Sequence, residues 1–319
     1  MDTVSVFITS YNQKELLVEA VDSVLAQTRM PDEIVIADDC SQDGSQDLIR
    51  SYANEHPDLV RNIFQKRNVG IPQNKNAAYR ATTCDLVTYL DGDDRFRPRK
   101  IEADLKTLED NPKAEVACAN VAYVDAKGNQ VGTWCENVED VPTGNVATEV
   151  LARGFPKGSL FRNEMVRREE VAQTGFYDTD LPLYEDWELR IRLSQRVRLA
   201  YTHEVTSEYR KNPQGISRSH AGRHLDACMR IYRKHRSKIE SLEPADRQHV
   251  NRCLRPWIGQ IAWRAFRGAI SRRDRPSAWA YLMDAMKFAP QSADVRALAQ
   301  FCLPESLVNA VRFLRRPLQ

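Results

Sequence analysis

No stretch of this 319-residue chain approaches the ~18 uninterrupted apolar residues that a membrane-crossing helix needs. Residues 1 to 12 have neither a basic start nor a long apolar run, so no secretory leader is expected. The seven cysteines (Cys40, Cys84, Cys118, Cys135, Cys228, Cys253, Cys302) are odd in number, far apart and without a C-x-x-C pair, which argues against a disulfide framework and a zinc knot. None of the six histidines stands beside a second ligand in a zinc motif, and His220 and His224, at i and i+4, read as part of a solvated helix face. The glycine fingerprints of dinucleotide and P-loop folds are missing too: no G-x-G-x-x-G follows the first strand, and G-x-x-x-x-G-K-[ST] occurs nowhere. What is left is a globular chain, 42% hydrophobic, able to bury one large domain or two and expected in the cytoplasm with its thiols reduced.

The net charge of +2 conceals an asymmetry. From His220 onward there are 19 lysines and arginines against 8 aspartates and glutamates, while residues 1 to 219 carry 27 against 36. An acidic front and a basic back suggest that the back meets something anionic, unless its arginines are merely solvated.

The front half alternates short apolar runs with helical patterns. Strands are expected at Val4–Thr9, Glu33–Ala37, Val60–Phe64 and Leu86–Leu90, with helices over Lys14–Gln27, Gln46–Asn54 and Gln73–Ala81 between them. Such alternation implies an α/β fold with a doubly wound, mostly parallel, Rossmann-like sheet over the first ~120 residues. The carboxyl ends of three strands carry polar loops: Thr9-Ser10-Tyr11-Asn12, Asp38 to Ser45, and Asp91-Gly92-Asp93-Asp94. Each has an ordinary reading as a turn or helix cap, but a switch point in a parallel sheet collects such loops into one crevice. Carboxylates spaced D-x-D-D there suit Mg²⁺ or Mn²⁺ holding a substrate's phosphates.

Four segments, Val4 to Asn12, Ile34 to Ser45, Asn68 to Asn76 and Asp91 to Asp94, resemble in order and interval the inverting glycosyltransferase family 2 of the GT-A fold. The resemblance runs over roughly residues 3 to 217. It implies a catalytic domain over residues 1–217 followed by a basic helical region over 218–319. It implies a nucleotide-sugar donor, usually a UDP-sugar, with Thr9 and Tyr11 flanking the base and Asp39 accepting from the ring N–H. Asn68, Gly70 and Lys75 would line the ribose and phosphate side, where relatives often carry Arg in place of Lys75 and Ala in place of Asn74. Among the acids, Asp93 is the first choice for metal, Asp91 for ribose or a metal-bound water, and Asp94 to ligate or orient. A divalent cation there would neutralise charge that grows on a departing diphosphate.

Tyr184 to Leu193 reads as a helix with an acidic first turn, where Glu185 and Asp186 would ordinarily cap the helix and complement its dipole. The resemblance instead makes Asp186 the general base and Glu185 a supporting acceptor contact. By the same resemblance Lys157 to Arg162 is the strand before that helix, with Arg162 orienting donor sugar or acceptor. Tyr209 to Ser217 is the closing segment, with Asn212 where a His is usual and phosphate contacts shifted to Arg210 or Lys211. Acceptors in such a family are glycans or lipid-linked glycans, typically of bacterial cell-surface polysaccharide or glycolipid synthesis; no nucleic acid is expected.

Behind Ser217 helices are expected over Leu225–Ile239, Val250–Ile270 with a kink at Pro256, Ser277–Phe288 and Ser306–Leu314. They would either pack on the catalytic domain or lie on an anionic inner membrane face. Three rivals bear on the assignment. A receiver-type signalling domain fails because its acidic pair follows the first strand, and a sugar-nucleotide pyrophosphorylase needs a Gly-rich basic loop that Thr9 to Gln13 is not. A catalytically inactive sugar-nucleotide-binding module shares the fold, but intact Asp39, Asp93 and Asp186 argue against it.

Overall fold

The computed structural model describes residues 2–212, 215 and 219–302. The chain divides into two compact units, Met1–Gly215 and Ile216–Gln319.

In the first unit four strands, β1 (Val4–Ser10), β2 (Glu33–Asp38), β3 (Val60–Phe64) and β4 (Leu86–Asp91), alternate with helices α1 (Lys14–Leu25), α2 (Ser45–Glu55) and α3 (Ile71–Ala81). These four strands are mutually parallel in the order β3-β2-β1-β4. Central strands of a parallel sheet are covered on both faces, which is why β1 and β2 read as near-continuous apolar runs rather than alternating ones. Ile8, Ile36 and Leu90 are fully buried, each contributing roughly 2 kcal/mol by leaving water.

Beyond β4 the pairing turns mixed. After β5 (Arg95–Phe96) and α4 (Lys100–Asp110) come β6 (Val116–Val124), β7 (Gln130–Thr133), α5 (Ala147–Ala152), β8 (Met165–Arg167), α6 (Arg168–Thr174), α7 (Glu185–Leu193) and the long β9 (Leu199–Arg210). The sheet continues β4-β8-β6-β9-β5, with β7 on β6. β8 is antiparallel to both neighbours, and only β6 with β9 is again parallel. Residues 157 to 162, expected as a strand, hold a short 3₁₀ turn and irregular backbone; the strand is Met165–Arg167, three residues further on.

The second unit is helical: α8 (Ala221–Lys234), α9 (Arg236–Ser241), α10 (Pro244–Ser271), α11 (Arg275–Phe288) and α12 (Val295–Cys302). The single helix expected over Leu225–Ile239 is two, parted at His235. α10 runs on through Pro256. His220 caps α8 by accepting from the Gly222 N–H rather than lining its face. No helix among the described residues is long and apolar enough to cross a membrane. The helix expected at Ser306–Leu314 lies outside the described residues.

Candidate active site

Sheet register brings the polar loops together. Thr9 sits opposite Ala37 on β2 and Asp91 on β4, and Ser10 opposite Asp38, so three strands deliver their loops to one edge. The first two loops are tied to each other: the Asn12 N–H donates to Ser41 Oγ at 2.8 Å, and the Gln42 N–H to Asn12 Oδ1 at 2.8 Å. Tyr11, on the first of them, is 48% exposed. Asp39 is buried and accepts the Val69 and Gly70 N–H groups at 2.7 and 2.9 Å, so it pins the loop that carries the exposed Asn68. Burial raises its pKa, though those two bonds oppose the shift. Gly70 needs its own residue type: φ +90° with ψ 160° is a conformation essentially restricted to glycine. Asn74, where relatives often have Ala, is buried and donates to the Ala37 carbonyl, bracing the end of β2 against α3.

The turn after β4 lies flat on β1. The Gly92 N–H donates to the Thr9 carbonyl at 2.9 Å, and a Cβ on Gly92 would meet that oxygen at 2.8 Å and the Gln13 side-chain nitrogen at 2.4 Å. The residue between the first two acids therefore has to be glycine here. Replacing it by alanine (Gly92→Ala) is expected to lift the turn and cost about 1–3 kcal/mol in stability, read in a melting experiment.

The three acids have separate situations. Asp94 is buried and accepts the backbone N–H of Arg210 at 2.8 Å; burial, then the charges of Asp93 and Asp91, push its pKa far up. It orients the turn. Asp93 is raised to about 6 by burial and by Asp91 beside it. Asp91 accepts from Thr9 Oγ1 at 3.4 Å and pairs with Lys75 at 3.2 Å. No three His, Cys, Asp or Glu side chains converge as a cage among the described residues. Asp93, pushed up by burial and by the neighbouring Asp91 charge, nonetheless forms with Asp91 a donor set that a divalent cation relieves, and phosphate-bound Mg²⁺ or Mn²⁺ is commonly held by one or two carboxylates. Asp93 and Asp91 fit such an ion, with Asp94 out of the set.

Lys75 joins this turn to the acidic helix. Its buried ammonium lies 3.2 Å from Asp91 and 3.4 Å from Glu185, with the Tyr89 ring 5.0 Å away. Burial disfavours its charge, but the two carboxylates outweigh that and hold it protonated. Where the resemblance placed Lys75 along ribose and phosphate, its ammonium bridges the two acidic motifs. Glu185 in turn is raised by burial, against the pull of Lys75.

Tyr184 enters α7 in the left-handed region (φ 60°), and within the acidic first turn Asp186 Oδ1 accepts the Trp187 N–H at 2.8 Å, as the capping reading expects. Trp187 anchors the helix, buried and donating from its indole to the Val150 carbonyl at 2.9 Å. Asp186 keeps a third of its side chain exposed and accepts from Arg190 Nη1 at 2.5 Å. Although burial raises it, Arg190, Arg162 and Lys75 together hold its carboxyl well below the usual range. Arg190 grips Glu164 with Nε and Nη2 at 2.9 and 2.8 Å and touches the Tyr89 hydroxyl at 3.0 Å. Sequence reasoning missed this clamp. The i, i+4 spacing of Asp186 and Arg190 was a usable signal; nothing local points to Glu164.

Arg210 gives its guanidinium to protein acceptors: the Asp93 carbonyl at 3.1 Å, the Ala126 carbonyl at 3.1 Å and Glu19 at 2.6 Å. It is a buried clamp on the acidic turn, where a phosphate contact was expected. Arg162 lies with its guanidinium 4.0 Å from the centre of the Tyr209 ring, within the field of Asp186 and Asp94.

Residues 5–168 match the family model described as Glycosyl transferase family 2. An uncharacterized protein of Mycobacterium tuberculosis is 29% identical over 219 residues, 66% of this chain and 60% of that protein. An uncharacterized glycosyltransferase of a Nostoc strain is 42% identical over 172 residues, 48% of this chain and 53% of that one. The chain thus spans about 60% or less of the length of these relatives. Among solved structures, S. aureus TarS 1-349 in complex with UDP-GlcNAc superposes with a TM-score of 0.66 at 16% identity, covering 93% of this chain and 83% of that one. The mannosyltransferase PcManGT from Pyrobaculum calidifontis, in complex with GDP-Man and Mn²⁺, gives 0.58 at 19%, covering 99% and 81%. At such identities the likeness speaks for the fold. The family match over half of the sequence, on strands that deliver the acidic loops to one edge, makes the chain a member of glycosyltransferase family 2.

Proposed function

We propose that this chain moves a sugar from a nucleotide-sugar donor, a UDP-sugar, to an acceptor hydroxyl with inversion. The observation that carries the reading is Lys75, whose ammonium brings Asp91 of the acidic turn and Glu185 of the acidic helix into one pocket. The loops after β1 and β2, with Tyr11 and Asp39, receive the nucleotide. Asp186 takes the proton of the acceptor hydroxyl as its oxygen attacks the anomeric carbon, and the bond to the diphosphate breaks on the opposite face. Lys75 and Glu185 hold the carboxylates of donor and base sides at fixed spacing. Asp93 and Asp91 would hold Mn²⁺ or Mg²⁺, which would supply charge neutralisation for the diphosphate. The transferred sugar goes to a glycan or lipid-linked glycan of a bacterial surface polysaccharide or glycolipid. Residues 1–217 act as the catalytic domain.

Incubation with a panel of UDP-sugars, and GDP-mannose as comparison, in the presence of Mn²⁺ is expected to release UDP and raise the melting temperature. Neither effect with any donor would point to an inactive binding module instead. Because Asp93 titrates near 6 in the metal-free protein, its ionised form is lost as pH falls through that value. Mn²⁺ affinity is therefore expected to drop about tenfold per pH unit below about 6, and the acid limb of UDP release should move to lower pH as Mn²⁺ is raised.

The basic second unit supports peripheral contact with the inner face of an anionic membrane. On α11, Trp279, Met283 and Met286 are 58%, 56% and 43% exposed along one stripe, flanked by exposed Arg272, Arg273, Arg275 and Lys287. Apolar residues rimmed by cations match an anionic lipid surface. Co-sedimentation with phosphatidylglycerol vesicles should fall several-fold in the double variant Trp279→Ser, Met283→Ser; undiminished binding would remove the proposal.

A further inference from the structure

The loops that receive the nucleotide follow β1 and β2, on one side of the acidic turn in the sheet order, and a different chemistry lies on the other side. There β6 and β9 run parallel, and their register places Tyr123 opposite Tyr209. The two rings meet edge to face with centroids 6.0 Å apart. A cation lies on each: Arg162 at 4.0 Å from the Tyr209 centroid and the Lys211 ammonium at 4.3 Å from that of Tyr123. Lys157 also approaches Tyr123, at 5.8 Å, but its ammonium is engaged by the Thr133 carbonyl at 2.6 Å and by Glu136 at 3.2 Å.

Arg162 and Lys211 are unlike the other cations of this region. Arg190 and Arg210 have their guanidinium groups committed to carboxylates and carbonyls. Among the described residues neither the Arg162 guanidinium nor the Lys211 ammonium makes a hydrogen bond or an ion pair. A tyrosine face steadies a cation but accepts none of its N–H bonds in the plane of the guanidinium. The position of each is fixed by structure: the Lys211 N–H extends the sheet ladder to the Val124 carbonyl at 2.9 Å, and Arg162 precedes Asn163, whose side chain donates to the Tyr89 carbonyl at 2.9 Å. The charges of Asp186 and Asp94 act on Arg162, which puts its guanidinium near the proposed base.

We propose that Arg162 and Lys211, seated on the Tyr209–Tyr123 pair, bind an anionic group of the acceptor, a phosphate or a carboxylate close to the accepting hydroxyl. The inference rests on the donor reading above, because the nucleotide takes the β1–β2 side and leaves this side of the turn to the acceptor. A planar fork matches two oxygens of a phosphate or carboxylate, and the ammonium adds a second charge from the neighbouring ring. Neutral glycans would leave both cations without an acceptor.

The full chain, with and without saturating UDP and Mg²⁺, is titrated with glycerol 3-phosphate, D-glucuronate, glycerol and D-glucose, and binding is read by ligand-observed NMR. UDP binding is measured first on the same samples. The phosphate or the carboxylate probe is expected to bind in the presence of UDP and the neutral probes not; which anion binds more tightly identifies the acceptor group. Lys211→Ala and Arg162→Gln should each weaken anion binding about tenfold, the loss of one charge-assisted contact. Lys211 is exposed, so its variant reports even where the Arg162 variant fails to fold. Anion binding abolished by UDP would assign these cations to the donor diphosphate and overturn the proposal, as would equal binding of neutral probes or indifference to both variants. Failure of UDP to bind would sink the donor reading alone, since the variants still decide the anion site without it.

Discussion

Asp186→Asn is expected to lower turnover by about 10²–10⁴-fold, the usual contribution of a positioned general base, while leaving UDP affinity close to that of the parent and lowering the melting temperature, because the buried Arg190 loses one of its two counter-charges. The carboxylate is partly open to the pocket, a third of its side chain being exposed, and asparagine retains its shape without the ability to take a proton. It lies on α7, not on the loops after β1 and β2. Measuring kcat for transfer together with a UDP titration separates the possibilities. A collapse of UDP affinity would move Asp186 to the donor side and leave the base to be found elsewhere. The low pKa of Asp186 has a consequence for the same experiment. Because Arg190 holds it ionised far below neutrality, Asp186 is not expected to set the acid limb of the parent's pH profile; Asp93, pushed up to about 6, is.

Arg190→Gln is expected to cost stability first and pH behaviour second. The guanidinium is buried and serves Glu164, Asp186 and Tyr89 at once. Its removal leaves Glu164 buried without its counter-charge, a loss of roughly 3–5 kcal/mol, or about 10 °C in melting temperature for a unit of this size. In the surviving folded protein Asp186 loses the strongest cation acting to lower its pKa, while burial continues to raise it. Its ionised form is then lost at a higher pH than in the parent, which an NMR titration of the Asp186 carboxyl reads directly, while the acid limb of turnover stays with Asp93 for as long as Asp186 remains the stronger acid. Arg190→Lys keeps the charge but not the fork, and should recover part of the downward shift of Asp186 with less of the stability. A variant as stable as the parent would show that the clamp does not support the core, and an Asp186 carboxyl that titrates where the parent's does would show that it does not tune Asp186.

The first ninety residues were legible because parallel strands buried on both faces leave continuous apolar runs between helical periods. The expected strand Val60–Phe64 is the strand observed, and the other early strands and helices differ by one or two residues at their ends. The mixed half was not legible for a physical reason. β8 has three residues, too few to carry any period, and β9 is bulged opposite Ala119–Val121, which breaks alternation in the middle of the strand. The candidate site divides the same way. Asp39, Asp93 and Asp186 stand in local motifs, and their neighbourhoods could be read along the chain. The roles of Lys75 and Arg210 could not, because each is set by partners more than a hundred residues away, Glu185 for one and Asp93, Asp94 and Glu19 for the other.

The clamp made by Arg210 also limits how small a working fragment can be. The family match ends at residue 168, yet the acidic turn is held from behind by the last residue of β9, through its N–H on Asp94 and its guanidinium on the Asp93 carbonyl and on Glu19 of the first helix. A chain cut at the end of that match would keep every strand that presents the β1 and β2 loops and lose the bolt that closes the acidic turn. Anyone trimming this protein for crystallisation or grafting its donor half onto another scaffold should count Arg210 as the first residue that cannot be discarded.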